Sequence, residues 1–180
     1  MDEMTYIHSM NWQEYFDYDS GAGVLIRRVR PRHHFPTERG WRQVSGRDAG
    51  KPVTCKRDDG YVMFNTGGRT YRAHRVIWEM HNGPIPDGFE IDHINGDRAD
   101  NRLCNLRVAT RSQNNCNIGI RINNTSGHKG VSWSKQAGKW EAWIKANGRR
   151  VGLGHYKDIA EAVAARQRAS AEHYGQFARP

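Results

Sequence analysis

Phe89-Glu90-Ile91-Asp92-His93-Ile94-Asn95-Gly96-Asp97, continued by Asp100-Asn101-Arg102-Leu103-Cys104-Asn105-Leu106 and then by Arg111-Ser112-Gln113-Asn114-Asn115, is the stretch on which the fold turns. Phe89 and Ile91 alternate with polar neighbours, the pattern of a short half-buried strand, and Asn95-Gly96 supplies the positive-φ positions of a tight turn just beyond His93. Asn105 to Val108 reads as a returning strand. Thr110 followed by Gln113 is a capping-box signature, which starts a short helix with Asn114 in its first turn. The predicted unit is strand, loop, strand, helix. Neighbours on an ideal strand point to opposite faces, so Asp92 and His93 share one site only where the chain bends, and the Asn95-Gly96 turn provides that bend.

This segment resembles the HNH (His-Asn-His, ββα-metal) nuclease core of bacteriophage-type homing endonucleases. Asp92-His93, Asn105 and Asn114 stand at its motif positions, and a weaker similarity runs from about Trp12 through Asn117. The resemblance implies His93 as general base, Asp92 and Asn114 as metal ligands, and Asn105 as the residue holding loop and strands in register. The motif ends on Asn114 instead of a histidine, which is similar to the asparagine-terminated branch. Each residue alone has an ordinary role in a turn or cap. The array, with its Asn105 and Asn114 at fixed intervals after His93 between readable strands and a capped helix, is what favours a nuclease.

The residue types suit the chemistry on their own terms. Phosphodiester hydrolysis needs an activated water, a neutralised transition state and a stabilised leaving oxygen, and one hard cation supplies the last two. A partly deprotonated imidazole near neutral pH is matched to removing a proton from water, the role open to His93. One carboxylate oxygen from Asp92 and one amide carbonyl from Asn114 suit Mg²⁺, with Mn²⁺ the alternative, completed by water and phosphate. Binding of the metal to the free protein is expected to be weak.

The 180 residues have room for one medium or two small domains, and the net charge of +9 with a pI near 9.8 points to a polyanionic partner. No stretch is long and apolar enough to span a membrane, and Met1-Asp2-Glu3 is not a signal-peptide start, so an intracellular protein is expected. Cys55, Cys104 and Cys116 lack any C-x-x-C pairing, so free thiols are expected; a zinc role for Cys104, Cys116 or His128 is left open.

Asn11 to Glu14 begins a short helix with Trp12, Tyr15 and Phe16 on one face, and Asp17 to Gly23 reads as a turn-rich break before Val24-Leu25-Ile26. The basic run Arg27 to His34 is either a solvated loop or a phosphate contact. Phe35 to Lys51 shows little periodicity and is expected to be irregular and mobile without a partner. Tyr61 to Phe64 and Thr70 to Arg72 around Gly67-Gly68 read as a β-hairpin, followed by an apolar helical stripe from Ala73 to Met80 that stops at Asn82-Gly83-Pro84. His74 and Arg75 match a His-Arg pair of the related nucleases, which implies a grip on phosphate near the metal; the plainer reading is a helix start and a surface charge.

Beyond Asn117 the composition changes. Residues 118–126 read as a linker. Lys129 to Trp133, Lys139 to Lys145 and Arg149 to Tyr156 read as three strands, the last two joined by Asn147-Gly148, and Asp158-x-x-Glu161 caps a helix that ends at Gly175. With Gly130-Val131, Trp140-x-Ala142, Leu153-Gly154 and an alanine-rich helix, Ser126 to Ala178 resembles the plant ethylene-response-factor type DNA-binding domain. That resemblance implies a sheet set in the major groove, with Ser132, Trp133, Lys135, Trp143, Lys145, Arg149 and Arg150 at the contact positions. Residues 123–180 hold 10 Lys+Arg against 4 Asp+Glu, so this smaller module is the more basic part.

The expected architecture is α+β: a ββα-metal HNH nuclease domain over 1–117 with its core at about 70–117, a linker over 118–126, and over 127–180 a small three-stranded antiparallel sheet with one packed helix. The expected activity is metal-dependent cleavage of duplex DNA, homing-type, by a monomer that nicks or a dimer that cuts both strands, with no membrane and no small-molecule substrate. The rival from another class is a non-catalytic DNA-binding regulator on a nuclease scaffold.

Overall fold

The structure is a computed structural model and describes residues 10–117, 119–120, 123–146 and 148–178. Met1-Asp2-Glu3, the linker residues Ile118, Arg121 and Ile122, and Asn147 of the Asn147-Gly148 turn lie outside the described residues. The chain folds as two compact units, Met1–Val108 and Ala109–Pro180, in an α+β architecture. Residues 109–117, grouped with the nuclease domain on the sequence, fall in the second unit.

In the first unit a 3₁₀ turn at Trp12–Glu14 leads into an antiparallel hairpin of β1 (Phe16–Asp19) and β2 (Val24–Arg27). The expected irregular break from Asp17 to Gly23 is thus in part a strand. Phe16 and Tyr18 turn inward between Asp17 and Asp19, and the Asp19 carboxylate accepts the N–H groups of Gly21 and Ala22, each at 3.0 Å, to close the turn. A second 3₁₀ turn spans Arg32–His34, and α1 runs over Glu38–Asp48, where irregular chain was expected. The Thr37 hydroxyl caps α1 by accepting from Gly40 N at 3.1 Å, while Glu38 pairs with Arg42 one turn on. None of its residues is buried, so the apolar period that announces most helices is missing here.

β3 (Met63–Thr66) and β4 (Arg69–Arg72) pair through Gly67-Gly68, whose φ values of 55° and 75° are the left-handed pair such a two-residue turn demands. α2 (Ala73–Asn82) follows directly, buries Ala73, His74, Val76 and Ile77, and stops at Gly83, φ 80°. β5 (Phe89–His93) and β6 (Leu106–Thr110) form a two-stranded sheet. Trp12, Phe16, Leu25, Phe64, Tyr71, Ile77, Ile91 and Leu106 are among the residues of one apolar core that joins all three hairpins to α2. Ile77 is fully buried within it, and truncating such a side chain to Ala costs about 2–5 kcal/mol.

In the second unit α3 (Arg111–Asn117) is followed by an antiparallel sheet in the order β7 (Val131–Ser134), β8 (Lys139–Ala146), β9 (Arg149–Tyr156). α4 (Ile159–Tyr174) packs on it, capped where Asp158 Oδ1 accepts from Ala160 N at 2.8 Å and ended at Gly175, φ 50°. Its core is small: Val131, Ala142 and Ala162, with Trp140, Leu153, Tyr156, Ile159 and Val163 packed around them. No helix among the described residues is long and apolar enough to cross a membrane.

Candidate active site

β5 ends in a run that breaks strand alternation: Ile91, Asp92 and His93 are all buried. The bend follows at once. Gly96 N donates to His93 O at 2.8 Å, Asp97 N donates to the Asn95 side-chain oxygen at 2.8 Å, and Gly96 takes φ 72°. Asn105 then ties the loop to the returning strand. Its carbonyl oxygen Oδ1 accepts from Asn95 N at 2.9 Å, its Nδ2 donates to Asp100 O at 2.7 Å, and its backbone oxygen accepts from Ile94 N at 2.8 Å.

His93 Nε2 lies 3.0 Å from Asn101 Oδ1. An amide oxygen only accepts, so Nε2 carries the hydrogen and the lone pair resides on Nδ1. Asn101, 2 % exposed, is itself held. The Tyr18 hydroxyl donates to Asn101 O at 3.3 Å and accepts from Leu103 N at 3.0 Å, while Gly23 presses so close that a Cβ there would sit 2.6 Å from Arg102 N. The β1–β2 hairpin therefore braces the backbone of the residue that faces this imidazole, far along the chain. Burial holds the His93 pKa below the ordinary histidine value, against the opposing pull of the Asn101 bond and of Asp92, Asp97 and Asp100. A neutral imidazole at neutral pH is the basic form.

Asp92 is buried beside it, and Arg107 on β6 donates to its Oδ2 from Nε at 2.8 Å and Nη2 at 2.7 Å. In the loop, Asp100 receives Arg102 through both oxygens, at 2.8 and 2.7 Å, and Asn95 Nδ2 at 2.8 Å. The Arg102 bond holds the Asp100 carboxyl down at about 2. Neither Asn101 nor Arg107 has a role in the sequence reading, although Asn101 falls within the quoted motif and Arg107 in the returning strand Asn105 to Val108.

His74, at the start of α2, faces the same place: its ring centroid is 4.8 Å from that of His93 and 5.1 Å from that of Tyr61. Burial first, then His93, Arg72 and Arg75, push its pKa down to about 2, so it meets any ligand as a neutral ring. Its Nδ1 is buried with no hydrogen-bond partner among the described residues. Arg72 and Arg98 stack over the Tyr61 ring at 4.5 and 4.9 Å and bring positive charge to the rim. Arg75 lines a different recess of about 520 Å³, with Arg69, Thr70, Arg72 and Glu79, so the expected His-Arg pair is divided between two surfaces.

Two features lie within the second unit. The capping box at α3 is formed reciprocally, Gln113 N to Thr110 Oγ1 at 3.3 Å and Thr110 N to Gln113 Oε1 at 2.8 Å, so Asn114 rides on a defined first turn. In the sheet, Ala142 and Ile144 point to α4, which sends Trp143 and Lys145 to the opposite, open face. Arg150 pairs with Lys145 there, stacks over Trp143 at 4.5 Å and donates to Glu141 Oε2 at 2.9 Å; Ser132 stands opposite Glu141. Trp133 stands opposite Trp140 and Arg149 opposite Ala146, which by strand parity puts them on the α4 side of the sheet, where both remain exposed, and Lys135 sits in the turn after β7. Ser132, Trp143, Lys145 and Arg150 are thus brought together, and Trp133, Arg149 and Lys135 are not. Cys55, Cys104 and Cys116 are free thiols, and neither they nor His128 enter a three-ligand grouping of His, Cys, Asp or Glu among the described residues.

Residues 71–116 match the family model described as HNH endonuclease. Over 108 residues the chain is 43% identical to Protein 3.8 of Escherichia phage T7, a match covering 60% of this chain and 88% of that protein. The chain belongs to one family with this phage protein, and its residues 71–116 form a segment of the HNH endonuclease type. It is also 27% identical over 113 residues to YosQ of the Bacillus subtilis (strain 168) SPbeta prophage, whose name proposes an HNH homing endonuclease; the match covers 62% of this chain and 56% of that protein. The solved structure described as DNA binding and cleavage by the HNH homing endonuclease I-HmuI aligns with 89% of this chain and 78% of its own, at 17% identity and a TM-score of 0.37.

Proposed function

We propose that this protein is a metal-dependent DNA endonuclease of homing type in which His93 takes the proton from the attacking water. The observation that carries the reading is a buried imidazole, kept neutral by its surroundings and with its hydrogen committed to Nε2 by Asn101, next to the buried Asp92 carboxylate. Nδ1 is then the basic atom. Asn105 and the Tyr18-braced Asn101 keep the loop from relaxing as the ring gains charge.

The donor set fits a hard divalent ion, Mg²⁺ before Mn²⁺. Asp92 offers a carboxylate and Asn114 an amide oxygen on a capped helix turn; phosphate and water complete such a shell. When bound, the ion would neutralise charge on the phosphate and the leaving oxygen. The assignment of Asn114 rests on its motif position. His74 donates or accepts as a neutral ring at the edge of the site and cannot grip phosphate by charge.

The open face of the second unit supports a DNA-binding module of ethylene-response-factor type. Lys145 and Arg150 supply charge to phosphate, Trp143 an apolar plane, and Arg150 is already aimed by Glu141. One base and one metal cut one strand, so a monomer nicks. Supercoiled plasmid incubated with purified protein is expected to relax to the nicked form in Mg²⁺ and to stay supercoiled in EDTA. Duplex binding without nicking in Mg²⁺ or Mn²⁺ would instead establish a DNA-binding regulator on a nuclease scaffold.

A further inference from the structure

The basic run between β2 and α1 carries a feature that DNA contact leaves unused. Glu14, His33 and His34 each offer one ligand atom, and the three atoms lie within 4.8 Å of one another. We propose that these residues form a Zn²⁺ site, separate from Asp92.

Two 3₁₀ turns make the juxtaposition, Trp12–Glu14 and Arg32–His34, the second entered through Pro31 at φ −53°. His34 Nε2 is 2.8 Å from Glu14 Oε2, and the other Glu14 oxygen accepts from Asn11 Nδ2 at 3.1 Å. Tyr15 stacks on the His34 ring at 4.9 Å and fixes its plane, and the His33 ring meets it edge-on at 4.5 Å. His33 is exposed, so its side chain is free to close on an ion and solvent can fill the remaining position.

The chemistry selects the metal. Zn–N and Zn–O bonds of about 2.0–2.2 Å put the ligands of a tetrahedral ion about 3.3 Å apart, so the Glu14–His34 contact must open slightly and His33 must move in. Two imidazoles and one carboxylate suit a borderline-soft ion, whereas Mg²⁺ or Ca²⁺ prefers a shell of oxygens. The neighbourhood strengthens that preference. Arg30 lies over the Tyr15 and Phe35 rings at 5.4 and 4.5 Å, so positive charge stands beside the ring that stacks on His34 and disfavours a cation held by charge alone over one with strong nitrogen bonds. His34 Nδ1 is buried without a hydrogen-bond partner among the described residues, so the outer bond that strengthens most zinc histidines is lacking and the affinity is below that of a structural zinc site. A bound ion would staple the run Arg27–Arg32 to the first residues of the core.

The test is Zn²⁺ titration of the full chain under reducing conditions, in competition with a chromogenic chelator, with Co²⁺ visible absorption as a second readout. Wild-type protein is expected to take up Zn²⁺ and to give a tetrahedral Co²⁺ spectrum. The exposed substitution His33→Ala is expected to weaken Zn²⁺ by about tenfold or more and to remove that spectrum, as is the shape-preserving Glu14→Gln; Asp92→Asn should leave both unchanged. No uptake by wild type, undiminished uptake by His33→Ala, or loss on Asp92→Asn alone would each overturn the proposal.

Discussion

The β5–β6 hairpin and the β7–β9 sheet spend polar side chains in opposite ways. In the hairpin, Asp92, His93, Asn101 and Asn105 are 2–6 % exposed, and each has a named partner that fixes its orientation. In the sheet, Lys145 and Arg150 are exposed and Trp143 is partly so, while the buried residues on the other face are apolar. A group that must exchange a proton needs its tautomer and pKa set before substrate arrives, and burial with a complete set of hydrogen bonds does that. A group that must meet phosphate needs to stay hydrated until the encounter, so exposure costs it nothing. Substitutions in the hairpin should therefore alter rate, and those on the sheet affinity.

The sharpest break in that division would come from Asn101. Replacing it with Leu removes the acceptor for Nε2–H, and single-turnover cleavage is expected to fall about 10–100-fold. Because the Asn101 bond raises the His93 pKa, the acid limb of the pH–rate profile should also move to lower pH, a shift that mere loosening of the loop would not produce. An unchanged profile would remove Asn101 from its positioning role.

Next in size is the effect of the sheet. The double substitution Lys145→Ala, Arg150→Ala is expected to weaken duplex binding about tenfold and to lower the slope of log affinity against log salt by about 2, with the saturated cleavage rate retained. Equal loss on replacing Trp133 and Arg149, exposed on the other side of the sheet, would show that the open face is not the one that docks.

The smallest effect concerns stability. His74 is neutral when folded, with its pKa pushed from 6.5 to about 2, so its contribution is complete above about pH 6.5 and is lost as pH falls toward 2, by about 1.4 kcal/mol per pH unit. His74→Gln should therefore unfold less steeply with acid. Urea unfolding at about pH 7.5 and pH 5.5 measures the difference, and a variant as acid-sensitive as wild type would place the titration elsewhere.

Where a structural signal is local, the sequence carried it. The alternation of Phe89 and Ile91, the Asn95-Gly96 turn, the Gly67-Gly68 hairpin and the Thr110–Gln113 cap each declare themselves within a few residues, and together they outline the site. What stayed hidden is of two kinds. α1 fully buries none of its residues and has only Trp41 and Val44 as half-buried apolar side chains, too little for an apolar stripe to show, and β1 offers only Phe16 and Tyr18 between acids. The Asn101–His93 and Arg107–Asp92 bonds depend on how a loop closes and how two strands register, which spacing alone does not encode. The face of Trp133 was open to reading: it lies two residues after the buried Val131, and strand parity sends both the same way.

The claim on which the rest depends is that His93 is the base. Full-length His93→Ala and wild-type protein should be compared for single-turnover nicking in Mg²⁺ and, on the same preparations, for duplex binding. Nicking slower by about 10²–10⁴-fold with affinity changed less than about twofold is the predicted result. A His93→Ala protein that nicks at the wild-type rate would contradict it.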